Sequence, residues 1–136
     1  MKFLVDANVL SEATKPQPDA KVEAWLADHE TQLAINPIIF GELRFGILLL
    51  PKSKRRSGLL EWLDTGVGYM AMLDLDAKTA EHWAQLLADL RLKGQAMPVK
   101  ESLIAATALQ YSLPIATRNT KDFAFAKVKL VNPFLY

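Results

Sequence analysis

The sequence contains no cysteine, only two histidines and no long hydrophobic run. Without cysteine there are no disulfides and no thiolate zinc ligands, which fits a reducing compartment, and we predict a cytoplasmic location. His29 and His82 leave little for a histidine metal site. The apolar runs are far too short to span a membrane, and Met1–Asp6 reaches an acid too early for a signal peptide. We therefore expect a soluble protein with no leader.

Net charge is also small, at +1, and it neither favours nor excludes a nucleic-acid partner. Hydrophobic residues make up 51% of the chain, which excludes disorder as its main state. No repeat, low-complexity tract or linker divides the 136 residues. We therefore predict a single domain over residues 1–136.

Strand-like and helix-like segments alternate along the chain. Asp19 and Asp76 are candidate N-caps, and Pro37 and Pro98 fit the first turns of helices. This alternation is typical of an α/β domain with a mainly parallel sheet covered on both faces. The predicted strands are Lys2–Val5, Leu33–Ile35, Tyr69–Leu75, Pro114–Thr117 and Lys127–Val131. The predicted helices are Ala7–Ser11, Asp19–His29, Pro37–Leu50, Lys54–Asp64, Asp76–Lys93 and Pro98–Tyr111.

Four acidic residues stand beside or inside apolar segments. Asp6 ends the first strand, and Asp122 follows the fourth. Glu42 and Glu101 lie in or near the first turns of helices. A carboxylate buried without a partner is costly, so such groups usually face a cation or each other. Sites in open parallel sheets form beyond the carboxyl ends of the strands, so all four acids can share one end. Such an acidic pocket suits Mg²⁺ or Mn²⁺.

Each acid also has a purely structural interpretation. Asp6 can be the N-cap of the following helix, and Asp122 a turn residue. Glu101 can be a first-turn acid favoured by the helix dipole. Glu42 is harder to explain, because its helical neighbours are apolar or small and Arg44 lies on a different face. Taken one at a time, these interpretations stay open.

Polar and basic residues accompany the acids. Asn8, Thr117 and Asn119 can hydrogen-bond a carboxylate or a water, or simply complete turns. Basic residues between two predicted helices and near the C-terminus can form a rim that suits a polyanionic substrate. A solvated loop between helices is the alternative for the first group.

Four sequence blocks, in this order, resemble the PIN-domain family. They begin at Asp6-Ala7-Asn8, Gly41-Glu42-Leu43, Glu101-Ser102-Leu103 and Thr117-Arg118-Asn119, and the closing Val131-Asn132-Pro133-Phe134 looks like the VapC-type toxin branch with its FitB-like members. The resemblance implies a compact α/β/α sandwich and a Mg²⁺- or Mn²⁺-dependent ribonuclease that acts as a toxin. It also implies a VapB-type antitoxin partner, and a homodimer or a hetero-oligomer with that antitoxin.

The resemblance carries site residues over by position. Asp6, Glu42 and Asp122 match the family's acids directly, whereas Glu101 falls where the pattern normally has Asp. The extra methylene puts a glutamate carboxylate roughly 1.5 Å further out, and hydrolytic sites lose activity when ligands are misplaced by about 1 Å. A tolerated natural variant, a weakened enzyme and an altered sequence all stay open. Lys100 points about 100° away round a helix and is a poor substitute.

The implied chemistry is metal-assisted RNA hydrolysis. Asp6, Glu42, Glu101 and Asp122 are expected to hold one or two ions, whose bound water attacks the phosphodiester to leave a 5′-phosphate and a 3′-hydroxyl. Clustered carboxylates should repel each other and raise at least one pKa. A tRNA is a target typical of this family. The basic residues expected to grip the RNA backbone are Arg55, Arg56, Arg118 and Lys121.

Three other functions remain as alternatives. One is a catalytically weak or inactive PIN module whose main role is to bind an antitoxin. A phosphatase of the HAD type needs a second Asp two residues after the first, where this chain has Asn8. A receiver-type switch needs an acidic pair that the chain lacks.

Overall fold

A computed structural model describes residues 1–136 and contains one five-stranded sheet in which every pairing is parallel. The strand order is β3-β2-β1-β4-β5, so the chain moves outward from β1 on one side and then crosses to β4 on the other. The order reverses between β1 and β4, which is where such sheets open a crevice. The strands are β1 Phe3–Val5, β2 Leu33–Ile35, β3 Ala71–Met72, β4 Ile115–Ala116 and β5 Leu130–Val131.

Six α-helices connect and cover the strands. Local capping explains where several begin: the Asn36 side chain accepts from the backbone N–H of Ile39, and Asp76 forms a capping box with Thr79. All six agree with the predicted helices to within two residues at each end. The helices are α1 Ala7–Glu12, α2 Ala20–Asp28, α3 Pro37–Leu48, α4 Lys54–Thr65, α5 Ala77–Leu92 and α6 Val99–Tyr111.

Four strands are shorter than predicted, β1 by a single residue. The predicted strand Tyr69–Leu75 is reduced to β3, because residues 67–69 form one turn of 3₁₀ helix. The predicted strand Lys127–Val131 is reduced to β5, because Lys127 adopts the left-handed φ of 55° and interrupts the extended run. Both are edge strands with a single neighbour, so their pairing ends early. The predicted strand Pro114–Thr117 is reduced to β4.

The core lies on both faces of the central strands. Leu4, Val5 and Ile115 are completely buried, so successive side chains on opposite faces are covered. Each such aliphatic side chain contributes about 1.5–3 kcal/mol when fully buried. This two-sided burial confirms the predicted α/β/α sandwich. No helix of the structure combines the length and the apolar character needed to cross a membrane.

Candidate active site

Asp6 occupies the carboxyl end of β1, at the point where the strand order reverses. Its backbone N–H donates to the Ala116 carbonyl at 2.9 Å, which places Asp6 beside the end of β4. Its side chain is buried and caps α1, because Oδ1 accepts from the N–H of Ala7 at 2.8 Å. Oδ2 accepts from the Thr117 hydroxyl at 2.7 Å and from Asn8 Nδ2 at 3.1 Å. Asp6 is thus the predicted N-cap through one carboxylate oxygen, while the other oxygen is held by the side chains of Asn8 and Thr117.

Thr117 and Asn8 hold Asp6 between two turns. The Thr117 hydroxyl donates to Asp6 and accepts from Asn8 Nδ2 at 3.3 Å and from the backbone N–H of Asn119 at 3.0 Å. Asn8 Oδ1 accepts from the N–H of Arg118 at 3.0 Å. These bonds tie the β1–α1 turn to the turn after β4. Asn119 takes part through its backbone, and its side chain is exposed.

Glu42 and Glu101 approach each other around the ammonium group of Lys100. Lys100 Nζ lies 3.2 Å from Glu42 Oε2 and 4.0 Å from Glu101 Oε1. The other oxygen of Glu42, Oε1, is buried and has no hydrogen-bond partner. The expected offset of about 100° round the helix between Lys100 and Glu101 does not keep the ammonium away from the acids. Its long, flexible stem bends back to the carboxylates, although the two residues leave the helix in different directions.

The surroundings of the acidic site shift the pKa values of Asp6, Glu42 and Lys100. Burial raises the pKa of Asp6, and the Thr117 hydroxyl and the Ala7 N–H oppose that rise. Burial also raises the pKa of Glu42, and the negative charges of Asp6 and Glu101 raise it further, as predicted for clustered acids. Burial lowers the pKa of Lys100, but its pairing with Glu42 outweighs this effect, so the pKa is raised overall.

Asp122 does not join the other acids. It lies on a one-turn 3₁₀ helix, Thr120–Phe123, and its carboxylate makes no hydrogen bond or ion pair. Phe123 is completely buried and anchors this turn, while Asp122 is exposed. As the side chains lie, no three Asp, Glu or His groups are close enough to hold one ion directly. The charges of Asp6 and Glu101 act on Glu42, whereas Asp122 does not, so the structure brings three of the four predicted acids near one another without forming a direct three-ligand site.

Three of the four predicted basic residues line clefts that also contain a predicted acid. Arg55 lines a cleft of about 410 Å³ between α1, α3 and α4, whose wall includes Glu42. Arg56 has a buried Nε with no hydrogen-bond partner. The guanidinium of Arg118 lies 4.6 Å from the centre of the Phe134 ring, and Arg118 and Lys121 line a second, smaller cleft with Asp122. Arg55 thus shares a cleft with Glu42, whereas Arg118 and Lys121 share a separate cleft with Asp122.

Two sets of ionic contacts in the structure were not predicted from the sequence. One is the placement of Lys100. The other is Glu12, which is buried at the end of α1, accepts from the N–H of Asp19 at 2.9 Å and pairs with Lys15 at 2.8 Å. The sequence does contain a signal for the ion pairs of Lys100, because Lys100 is a lysine next to an acid in the first turn of an apolar helix. Its long side chain can reach partners well beyond the adjacent helix position.

The donor set fits a hard divalent ion. Every candidate ligand is a carboxylate oxygen, and Glu42 Oε1 is a buried acceptor that lacks a donor. The ammonium between Glu42 and Glu101 shows that this place attracts positive charge. Mg²⁺ usually binds through one or two carboxylates and keeps several waters, so it does not need a closed cage of protein ligands. The residues present therefore suit Mg²⁺ or Mn²⁺ held partly through water.

The fold and site define a class of protein: an α/β/α domain with an oxygen-only acidic site at the carboxyl end of a parallel sheet. Within that class, the chain belongs to the PIN domain family, whose family model matches residues 3–129.

The chain is similar to two curated proteins over nearly its whole length. It is 35% identical to Toxin FitB of Neisseria gonorrhoeae, covering 97% of this chain and 98% of FitB. It is 34% identical to VapC ribonuclease Y4jK of Sinorhizobium fredii, covering 97% of each protein. Among solved structures, that of FitAB bound to an IR36 DNA fragment superposes with a TM-score of 0.88 at 33% identity, covering 97% of this chain and 95% of that one.

Proposed function

We propose that the protein is a divalent-metal-dependent endoribonuclease that acts as the toxin of a VapBC-type toxin–antitoxin pair. The observation that carries this proposal is the pairing of Glu42 and Glu101 with one cation, Lys100, together with the effect of the Asp6 charge on Glu42. The names of the relatives, a toxin and a ribonuclease, support the same conclusion. We propose the cytoplasm as its location.

The three joined acids are the proposed metal ligands. Glu42 and Glu101 present carboxylate oxygens beside Lys100, and Thr117 and Asn8 orient Asp6. When bound, Mg²⁺ or Mn²⁺ lowers the pKa of a water and stabilises charge on the scissile phosphate. Asp122, at the rim, is proposed to contribute through water only. Cleavage is proposed to leave a 5′-phosphate and a 3′-hydroxyl.

The basic residues are proposed to bind the RNA backbone. Arg55 lines the cleft that contains Glu42, and Arg118 and Lys121 line a separate cleft after β4 that contains Asp122. Arg56 is proposed to assist Arg55. Phosphate contacts of this kind position RNA but do not select its sequence. A tRNA is the proposed target class.

A VapB-type antitoxin is the proposed protein partner. FitAB, whose toxin-like chain superposes on this one, is a toxin–antitoxin complex. A homodimer is also proposed, alone or within a hetero-oligomer with the antitoxin. Phe45 on α3 and Leu49, the residue that follows this helix, are 65% and 70% exposed and offer an apolar contact surface.

The test is cleavage of a total tRNA pool, and of a ribosomal RNA fragment, by the purified protein in Mg²⁺, Mn²⁺ or EDTA. We expect metal-dependent cutting that falls at least about a hundredfold in Asp6→Asn. Glu101→Asp reports whether the longer glutamate weakens the site. Asp74→Asn, an exposed acid outside the site, is the matched control and should cut normally.

The result that contradicts the proposal is a folded parent protein and a folded Glu101→Asp variant that both fail to cut either RNA. Binding of an antitoxin by such a protein would then assign it the role of a binding module. Cutting that persists in EDTA and in Asp6→Asn would indicate a contaminating nuclease.

A further inference from the structure

We infer that Lys100 is a built-in counter-cation of the acidic site, and that a divalent ion must displace its ammonium from Glu42 in order to bind. Lys100 then sets how tightly the site holds metal. This inference rests on the proposed metal-dependent function and goes beyond it, because it assigns to this lysine the control of metal affinity.

The ion pairs of Lys100 are confined to the site. Its ion pairs are those with Glu42, at 3.2 Å, and with Glu101, at 4.0 Å. Both are proposed metal ligands, so the ammonium occupies the space that an ion needs. The same lysine also acts electrostatically on Asp6. Three carboxylates are thus balanced, in part, by one positive charge that belongs to the chain.

An ion and the ammonium compete for the same carboxylate. A divalent ion ligates carboxylate oxygen at about 2.1 Å, so an ion on Glu42 lies within a few ångströms of an ammonium still paired there. Like charges at that separation repel strongly in a partly buried site.

The exposure of the three side chains makes displacement feasible. The Lys100 side chain is 51% exposed, whereas those of Glu42 and Glu101 are 22% and 13% exposed. The acids are therefore held in place by their surroundings, and the lysine can swing into solvent on its flexible stem. Lys100 consequently behaves as a removable partner and not as a structural one.

The experiment measures Mn²⁺ binding from the electron paramagnetic resonance signal of free Mn²⁺. The parent is compared with Lys100→Met, Lys100→Arg, Asp6→Asn and Lys78→Met, the last changing an exposed lysine of α5 outside the site. We expect Lys100→Met to bind Mn²⁺ about tenfold more tightly, equivalent to about 1.4 kcal/mol. Lys100→Arg and Lys78→Met should bind like the parent.

A second readout is the melting temperature. In EDTA, Lys100→Met should melt below the parent, because Glu42 and Glu101 lose their counter-charge. Mn²⁺ should then raise its melting temperature more than it raises that of the parent. Both readouts are independent of RNA cleavage.

The outcomes separate this inference from the proposed function. Suppose that the parent binds Mn²⁺ and Asp6→Asn does not, but Lys100→Met binds no more tightly than the parent. The metal site then stands, and the inference about Lys100 is wrong. An equal gain in Lys78→Met would also overturn it, since the effect would then be one of net charge. If neither the parent nor Lys100→Met binds Mn²⁺, the proposed metal site and the inference both fail.

Discussion

Thr117→Val tests how the structure holds an ionised carboxylate in its interior. Thr117 is completely buried, and its hydroxyl donates to Asp6 Oδ2 at 2.7 Å while it accepts from the N–H of Asn119. Valine has nearly the same shape, so the variant removes the hydroxyl and leaves no cavity. Asp6 then keeps Asn8 and the N–H of Ala7 as donors. The carboxylate loses its shortest hydrogen bond.

The expected loss follows from the charge of the acceptor. A hydrogen bond to a charged group contributes about 1.5–3 kcal/mol, so we expect the free energy of unfolding at pH 7 to fall by about 2 kcal/mol. With a urea slope of about 2 kcal/mol per molar, the midpoint should fall by about 1 M.

The loss should depend on pH. Burial raises the pKa of Asp6 above its ordinary value of 3.8, so the stability that Asp6 contributes is present below pH 3.8 and is lost as pH rises through the raised pKa. The Thr117 hydroxyl limits that loss, because it favours the ionised carboxylate. The difference between Thr117→Val and the parent should therefore be large at pH 7 and smaller at pH 4.

The assay is urea unfolding in EDTA at pH 4 and pH 7. Thr14→Val is the matched control, because the hydroxyl of Thr14 donates to the Ser11 carbonyl at 2.7 Å in an exposed turn. We expect the control to lose about 0.5 kcal/mol at both pH values. A loss in Thr117→Val that is equal at both pH values, or no greater than that of the control, would refute the reasoning.

Three further changes have defined outcomes. Glu42→Gln should raise the urea midpoint at pH 7 in EDTA, because burial and the charge of Asp6 raise the Glu42 pKa and disfavour its ionised form. The same variant should abolish RNA cleavage, because it removes a proposed metal ligand. Glu12→Gln should cost about 1 kcal/mol at pH 7 and flatten the loss of stability as pH falls below 4.5, because the pairing with Lys15 lowers the Glu12 pKa. Gly58→Ala, in the interior of α4 with no atom near the added carbon, should raise the melting temperature by a stabilisation of about 0.5–1 kcal/mol.

Helices were predictable from the sequence because their ends depend on neighbouring residues. The Asp76 capping box is closed within four residues, and Asn36 caps the helix that Pro37 begins. The alternation of these helices with apolar runs was enough to predict an α/β/α sandwich. The edge strands were predicted too long, because the length of an edge strand depends on its single neighbour, which is distant in sequence.

The candidate site, like the fold, was predictable from the sequence only in part. That Asp6, Glu42 and Glu101 share one end of the sheet followed from their places at strand and helix ends, since a parallel sheet collects those ends. Whether Asp122 reaches them did not follow, because the buried Phe123 anchors its turn and Asp122 itself faces solvent. The direction in which a side chain leaves a turn depends on how the turn packs, and a single sequence does not show that packing.

The sequence by itself determined the order of the acids, the helix caps and the family resemblance, because each depends on spacing along the chain. Only the tertiary structure decided which charges meet. Lys100 begins about 100° round the helix from Glu101 and still reaches both Glu101 and Glu42. A long side chain selects its partner by distance and charge in space, and those quantities exist only once α3 and α6 have packed against the sheet.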